Sequence, residues 1–270
     1  MSIITLTTDF GNDDEYVGIM KGVILSLNPS AVIVDITHHI DPQDIVQAAY
    51  TIYSSYRYFP QGTVHVVVVD PTVGSDRKII AFKITDHTFL APDNGVLSLL
   101  IKKNERNINS IASIDNTGYF LDPVSRTFHG RDIFAPVSSH LSMGVPIKKV
   151  GTPVVQNKLI CLSNLEPSFS DNGELAGSIV SIDHFGNLIT NINLDDLEKI
   201  DNTLPDKKLC INVGRGKISG LSPNYSSTIS GHPLAIIGSR GYLEISVNSG
   251  NAANHFMVEK GDVVRISTVK

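Results

Sequence analysis

Val64-His65-Val66-Val67-Val68-Val69-Asp70-Pro71 reads as a strand with no polar face. A strand that meets water on one side alternates apolar and polar residues, whereas this run is apolar at every position after His65. Such a strand is buried on both faces, the mark of a parallel sheet with helices above and below. Upstream, Val32 to Ile36 and Ile3 to Thr7 read as two more buried strands. Between the strands, Tyr16, Met20, Val23, Ile24 and Leu27 keep helical spacing until Asn28-Pro29. Ile45, Ala48, Ala49, Ile52 and Tyr53 keep it again until Phe59-Pro60-Gln61-Gly62. Asp13, Asp14 and Glu15 fall where the first turn of the earlier helix favours negative charge. Strand and helix alternate, so the first portion is an α/β domain with a mainly parallel sheet covered by helices.

Downstream, Ile79 to Ile84 and Thr88 to Ala91 are further strands, followed by a turn at Pro92-Asp93-Asn94-Gly95. Ile133 to Leu141 has the pattern of a helix. From Glu174 the character changes. Leu175 to Ile182, Leu188 to Ile192, Leu209 to Val213, Leu234 to Ile237, Leu243 to Val247 and Val263 to Ile266 are short strands separated by Gly, Asn and Pro. This predicts a C-terminal antiparallel β-barrel. The expected division is an α/β domain over 1–162, a linker over 163–173 and a β-barrel domain over 174–270.

With 270 residues the chain has room for two cores. Lys and Arg number 22 against 27 Asp and Glu, which argues against a nucleic-acid binder needing a basic face. No apolar run approaches the roughly 18 residues of a membrane span. The opening Met1-Ser2-Ile3-Ile4 has no basic n-region, so the expectation is a soluble cytoplasmic protein. Two cysteines, Cys161 and Cys210, make no disulfide framework and no zinc pair, and both read as buried or inert.

In an open α/β sheet, ligands bind beyond the carboxyl ends of the strands. Asp9, His38-His39 and Asp70 fall at such ends. One strand-end Asp is an ordinary turn former, but two at neighbouring ends point to a site. The His pair lacks a second ligand pair, and no GxGxxG or GxxxxGK[ST] phosphate loop is present. Four strings are less ordinary. Thr7-Thr8-Asp9-Phe10-Gly11 opens the chain, and Val69-Asp70-Pro71-Thr72-Val73-Gly74 continues to Arg77. Thr127-Phe128-His129-Gly130-Arg131-Asp132 precedes the later helix, where its amides are placed to serve an anion. Asp183-His184-Phe185-Gly186-Asn187 lies in the β part and is followed by Gly238-Ser239-Arg240-Gly241-Tyr242. Each alone reads equally as a turn or an ion pair, Arg240 as a solvated side chain, and Tyr242 and Phe185 as packing residues, with a ligand-facing ring the other reading of Phe185.

Together these strings resemble the S-adenosylmethionine hydroxide adenosyltransferase family, relatives of fluorinase and chlorinase, over nearly the whole chain. The resemblance implies an N-terminal α/β domain, a C-terminal β-barrel, and a homotrimer with sites between subunits. It also implies cleavage of S-adenosylmethionine by water to adenosine and methionine. Asp9 then matches the carboxylate on the ribose hydroxyls, Asp183 the acid near the methionine amine, and Asn187 the amide near adenine. Ser239 and Arg240 match the pair that receives the methionine carboxylate. The hydrolases' Asp-Arg-His set falls on Asp70, Arg77 and His129. Fluorinase has a serine at its halide position. Here the residue after His129 is Gly130, a substrate-binding position, which argues against fluoride chemistry.

In this reading S-adenosylmethionine is the substrate, with no cofactor, no metal, no nucleic acid and no membrane. Arg77 stabilises developing hydroxide, His129 holds or relays a proton, and Asp70 either fixes the histidine tautomer or accepts the proton. Three alternatives stand beside it. They are a chlorinase using the same pocket, a non-catalytic adenosine or S-adenosylmethionine binding module, and a metal hydrolase built on Asp9, Asp13, Asp14 and His38.

Overall fold

The computed structural model describes residues 2–163, 165–171, 173–200 and 209–268. Residues 164 and 172 of the expected linker lie outside the described residues. The chain forms two compact units, Met1–Leu162 and Ser163–Lys270.

The first unit runs β1 (Ser2–Thr8), α1 (Tyr16–Leu27), β2 (Ala31–Thr37), α2 (Ile45–Ser55), β3 (Val64–Val68), β4 (Ile79–Ile84) and β5 (His87–Pro92). It continues with α3 (Ser98–Lys103), β6 (Ile108–Ile114), α4 (Ala135–Ser142), α5 (Ile147–Val150) and β7 (Gly151–Pro153). Its sheet has the order β2-β1-β3-β5-β4-β6-β7. Strands β2, β1, β3 and β5 are parallel neighbours. Only Thr85 and Asp86 separate β4 from β5, and so short a connection permits only an antiparallel pair. β6 and β7 then continue the sheet antiparallel.

Both faces are covered. On one, Ile4, Leu6, Val64, Val66 and Val68 pack with Met20 and Ile24 of α1 and Val137 and Leu141 of α4. On the other, Val67, Val69, Ile80 and Phe82 pack with Ala48 and Ile52 of α2 and Leu100 of α3. The one polar side chain of β3 is satisfied sideways: His65 bonds Thr5 Oγ1 at 2.8 Å and His87 at 3.1 Å. Burial, aided by His87, holds the His65 imidazole at a pKa of about 3, so it is neutral.

Two expectations change here. The β2 strand is an edge, not a buried strand, and Val32 is exposed. The α1 helix starts at Tyr16, so Asp13, Asp14 and Glu15 precede its first turn, and the Glu15 side chain makes no cap bond.

The second unit contains β8 (Ser168–Phe169), β9 (Leu175–Ile182), β10 (Leu188–Asn193), α6 (Leu194–Glu198), β11 (Leu209–Val213) and β12 (Gly216–Ser219). Then come β13 (Pro233–Ile237), β14 (Tyr242–Val247), α7 (Ala252–Phe256) and β15 (Val263–Thr268). Every pairing is antiparallel, in the order β12-β11-β15-β9-β10-β14-β13, with β8 beside β9. Ser222, just beyond β12, donates its N–H to Ala235 O of β13 at 2.7 Å, drawing the two ends of the sheet together. The result is a nearly closed barrel around Ile179, Leu188, Ile211, Leu243, Ile245 and Val264.

Candidate active site

The β3 strand delivers Asp70 just beyond its carboxyl end, and the loop that follows turns back to place Arg77 against it. Arg77 Nε donates to Asp70 Oδ2 at 2.6 Å, and a second guanidinium nitrogen pairs with the same oxygen. The two side chains are only 7% and 4% exposed, which makes this a shielded pair and not a surface one. The guanidinium also lies 2.9 Å from Nδ1 of His129. Arginine offers donors only, so Nδ1 presents its lone pair and the neutral ring carries its proton on Nε2. Burial and then the charge of Arg77 lower the His129 pKa, against weaker upward pulls from Asp70, Asp132 and the Ser125 backbone. The order of contact is thus Asp70, Arg77, His129, and it is the arginine that fixes the histidine tautomer.

Gly74 makes this geometry possible. Its φ is +83°, and a Cβ there would run into the Arg126 carbonyl oxygen. Bare backbone at 74 therefore lets the 70–77 loop lie against the segment that carries His129. That segment is braced from behind. Asp132 accepts from Ser125 N at 2.7 Å and pairs with Arg131, while Ser125 Oγ accepts from Phe128 N at 3.0 Å. Of the amides expected to serve an anion, those of Phe128, Arg131 and Asp132 are engaged within the segment, the last two donating to Phe128 O in a π-helical turn over Gly130–Phe134. Gly130 is buried, with Phe128, Met20 and Phe10 filling the space a side chain would need.

Phe10, Tyr16 and Phe128 form an aromatic cluster with ring centroids 5.1–6.1 Å apart. It joins the His129 segment to the loop of Asp9. One oxygen of Asp9 accepts from Gln43 N at 2.8 Å, and the other has no partner among the described residues. His38 is buried and bonded to Thr8 Oγ1 at 2.8 Å, so it does not join Asp9, Asp13 and Asp14. Among the described residues no group of three or more His, Cys, Asp or Glu converges as a metal site.

The barrel unit carries a cavity of about 780 Å³ whose walls include Asp183, Asn187, Ser239 and Arg240. Asp183 Oδ1 accepts from Phe185 N and Asn187 N, both at 2.9 Å, and Oδ2 accepts from Asn187 Nδ2 at 2.9 Å. The Asp183 carboxylate thereby shapes its own loop and aims the Asn187 amide. Gly186, at φ +84°, sits directly against the Asn251 side chain, and its carbonyl receives the first amides of α7. Among the described residues Arg240 makes one long contact, 3.5 Å to Ser181 Oγ.

Several of the cavity's lining residues escaped the sequence reading, Ile189 and Asn248 among them. Phe185 is 73% exposed and forms a wall instead of packing. Tyr225 and Glu244 also line the cavity, joined by a 2.6 Å hydrogen bond. A signal for Glu244 existed: Leu243, Ile245 and Val247 face the barrel core, leaving Tyr242, Glu244 and Ser246 on the other face. That polar face is buried too, which only the fold reveals. Cys161, expected to be buried or inert, is exposed.

The family model of the SAM hydroxide adenosyltransferase N-terminal domain matches residues 4–151, and that of its C-terminal domain matches 177–265. The chain is 35% identical to the (R)-S-adenosyl-L-methionine hydrolase of Methanocaldococcus jannaschii, over 98% of this chain and 96% of that one. It is 29% identical to a fluorinase from an Actinoplanes species, over 98% and 97%. A crystal structure of an uncharacterized conserved protein from Thermotoga maritima superposes with a TM-score of 0.88 at 37% identity, covering 99% of this chain and all of that one. Motifs, architecture and end-to-end similarity agree, and the chain belongs to the SAM hydroxide adenosyltransferase family.

Proposed function

We propose that this protein hydrolyses S-adenosylmethionine by attack of water on ribose C5′, giving adenosine and L-methionine. The observation that carries this reading is the shielded chain from Asp70 through Arg77 to His129, in a chain whose curated relatives include hydrolases. The leaving group is a sulfonium, which departs with the C5′–S electron pair as a neutral thioether. The chemistry therefore needs no cofactor for departure, and the demand falls on the nucleophile. As the water oxygen bonds to C5′, it loses a proton. Arg77 and His129 Nε2–H are donors suited to the oxygen as charge develops on it. With Nδ1 engaged by the guanidinium, Asp70 Oδ1 is the acceptor left for the proton.

The ribose hydroxyls are assigned to the open oxygen of Asp9, and Gly130, whose bare backbone lets Phe10, Met20 and Phe128 close in beside His129, is assigned to the substrate through its main chain. Adenine is assigned to Asn187, and the methionine end to Asp183, Ser239 and Arg240. The relative's name specifies the R sulfonium epimer, and the same epimer is the proposed substrate here. Assembly as a homotrimer, with each site drawing on two subunits, belongs to the same reading. No helix among the described residues is long and apolar enough to cross a membrane. Both cysteines are free thiols, which suits a reducing compartment, and the proposed location is the cytoplasm.

Mass spectrometry of S-adenosylmethionine incubated with purified protein tests the reading. Adenosine and methionine should form in equal amounts with or without added chloride. A chloride-dependent 5′-chloro-5′-deoxyadenosine would make it a chlorinase, and ligand retained unchanged would make it a binding module.

A further inference from the structure

The pair His38-His39 has no part in the reaction described above, yet it adjoins the carboxylate assigned to ribose. Segments 8–12 and 38–43 leave the carboxyl ends of the parallel neighbours β1 and β2 and are stitched together. Ile40 N donates to Thr8 O at 3.3 Å, and Gly11 N donates to His38 O at 2.8 Å. Asn12 Nδ2 lies 2.9 Å from His39 Nε2. Gln43 N donates to Asp9 Oδ2 at 2.8 Å, from a backbone φ of +68° that is strained for a glutamine. The side chain that ties the two segments together below the surface is His38, only 3% exposed. Its Nδ1 lies 2.8 Å from Thr8 Oγ1, which also accepts from Phe10 N at 3.3 Å. Its Nε2 lies 3.0 Å from Asp35 Oδ1, off the line of a hydrogen bond but close enough to orient the ring, and Asp35 pairs with Lys21 at 2.5 Å. The carboxylate offers acceptors only, so the neutral ring keeps its proton on Nε2 and Nδ1 takes the Thr8 hydroxyl proton. The hydroxyl lone pairs are then left for the Phe10 N–H. The order Lys21, Asp35, His38, Thr8 therefore ends on the two residues that flank Asp9.

We infer that His38 is a positioning residue: through Thr8 it fixes the backbone on both sides of Asp9, and so aims the open Asp9 oxygen at the ribose hydroxyls. The inference rests on the assignment of Asp9 to ribose. His38 is buried behind Thr8 and acts only through Asp9. A strand-end carboxylate free to turn about two torsions must be ordered when a diol binds, which costs affinity. Here Gln43 N holds one oxygen and His38 holds the backbone, so that ordering is already in place.

Calorimetry with adenosine and with 2′,3′-dideoxyadenosine, which lacks the two hydroxyls assigned to Asp9, tests this. Wild-type protein should prefer adenosine by about tenfold or more, the scale of a charge-assisted hydrogen bond. His38→Leu should cut that preference by about fivefold or more, the scale of coupling between residues in one network, and leave dideoxyadenosine binding nearly unchanged. Thr8→Val, which removes only the hydroxyl, should do the same and carries the test if His38→Leu fails to fold. His38→Asn, whose amide reaches Thr8 where Nδ1 stood, should keep most of the preference. In an Asp9→Ala background, His38→Leu should change neither affinity. An undiminished preference in His38→Leu or Thr8→Val overturns the inference. Equal losses for both ligands also overturn it, since they mark a residue that only supports the fold. Equal binding of the two ligands by wild type overturns it together with the ribose assignment of Asp9, and leaves the hydrolysis reading intact if adenosine and methionine still form. Wild-type protein that neither cleaves S-adenosylmethionine nor binds adenosine overturns both readings.

Discussion

At the scale of single residues, the placement of Arg77 between Asp70 and His129 decides what each group can do. Family resemblance supplied the three residues but left the roles of Asp70 and His129 open. In the proposed reaction the two distances favour Asp70 as the proton acceptor, because a guanidinium on Nδ1 engages the lone pair that a proton relay would use. Protonating His129 would set a new N–H against Arg77, and both burial and that positive charge lower its pKa below 6.5. Activity should therefore be level through neutral pH and decline only as pH falls below about 6.5, the ordinary histidine value. A kcat/KM profile with its acid midpoint above that value would contradict the arrangement. Arg77→Ala and His129→Ala should each lower kcat by about 10²-fold or more, with far smaller changes in KM. Steady-state kinetics on the two variants checks this, and near-full turnover in either removes that residue from the reacting chain.

Elements show where pattern succeeds as evidence and where it stops. The run from Val64 was legible because burial on both faces leaves no polar alternation, and β3 is indeed central. Val32 to Ile36 has a similar composition but forms the sheet edge, since apolar content reports neither neighbours nor position in the order. The antiparallel half of the sheet was hidden in a two-residue turn at Thr85-Asp86, and α3 and β6 were too short or too weakly patterned to read. In the barrel, strict alternation along β14 marks its core face but gives no hint that Glu244, on the other face, meets a cavity. The loop from Asp70 to Arg77 depends on a feature that sequence only hints at. Gly74 holds a left-handed φ and touches the Arg126 carbonyl, so Gly74→Ala brings both backbone strain and a collision. The strain alone is worth about 1–3 kcal/mol. Denaturant unfolding should show a loss of at least that order, and the loop shift should reduce turnover beyond the loss of folded protein. Unchanged stability would mean the loop closes on Arg126 without needing a bare backbone.

At the scale of the whole molecule, the candidate residues fall into two groups far apart in the chain. Asp9, Asp70, Arg77, His129 and Gly130 belong to the first unit, and Asp183, Asn187, Ser239 and Arg240 to the second. A homotrimer that composes each site from two subunits makes a prediction about mixtures. Asp9→Ala and Asn187→Ala chains, each nearly inactive alone, should recover activity when unfolded and reassembled together, since about a quarter of randomly formed composite sites carry neither lesion. Verified subunit exchange without recovery would contradict a shared site. Assembly was the least legible level, because no pattern in one chain reports its neighbours, and it entered only through family resemblance.

The most direct test of the account follows the oxygen atom. In ¹⁸O-labelled water, attack at C5′ predicts that the heavy oxygen appears at the 5′ position of every new adenosine and that methionine acquires none. Adenosine formed without the label would contradict water attack at C5′.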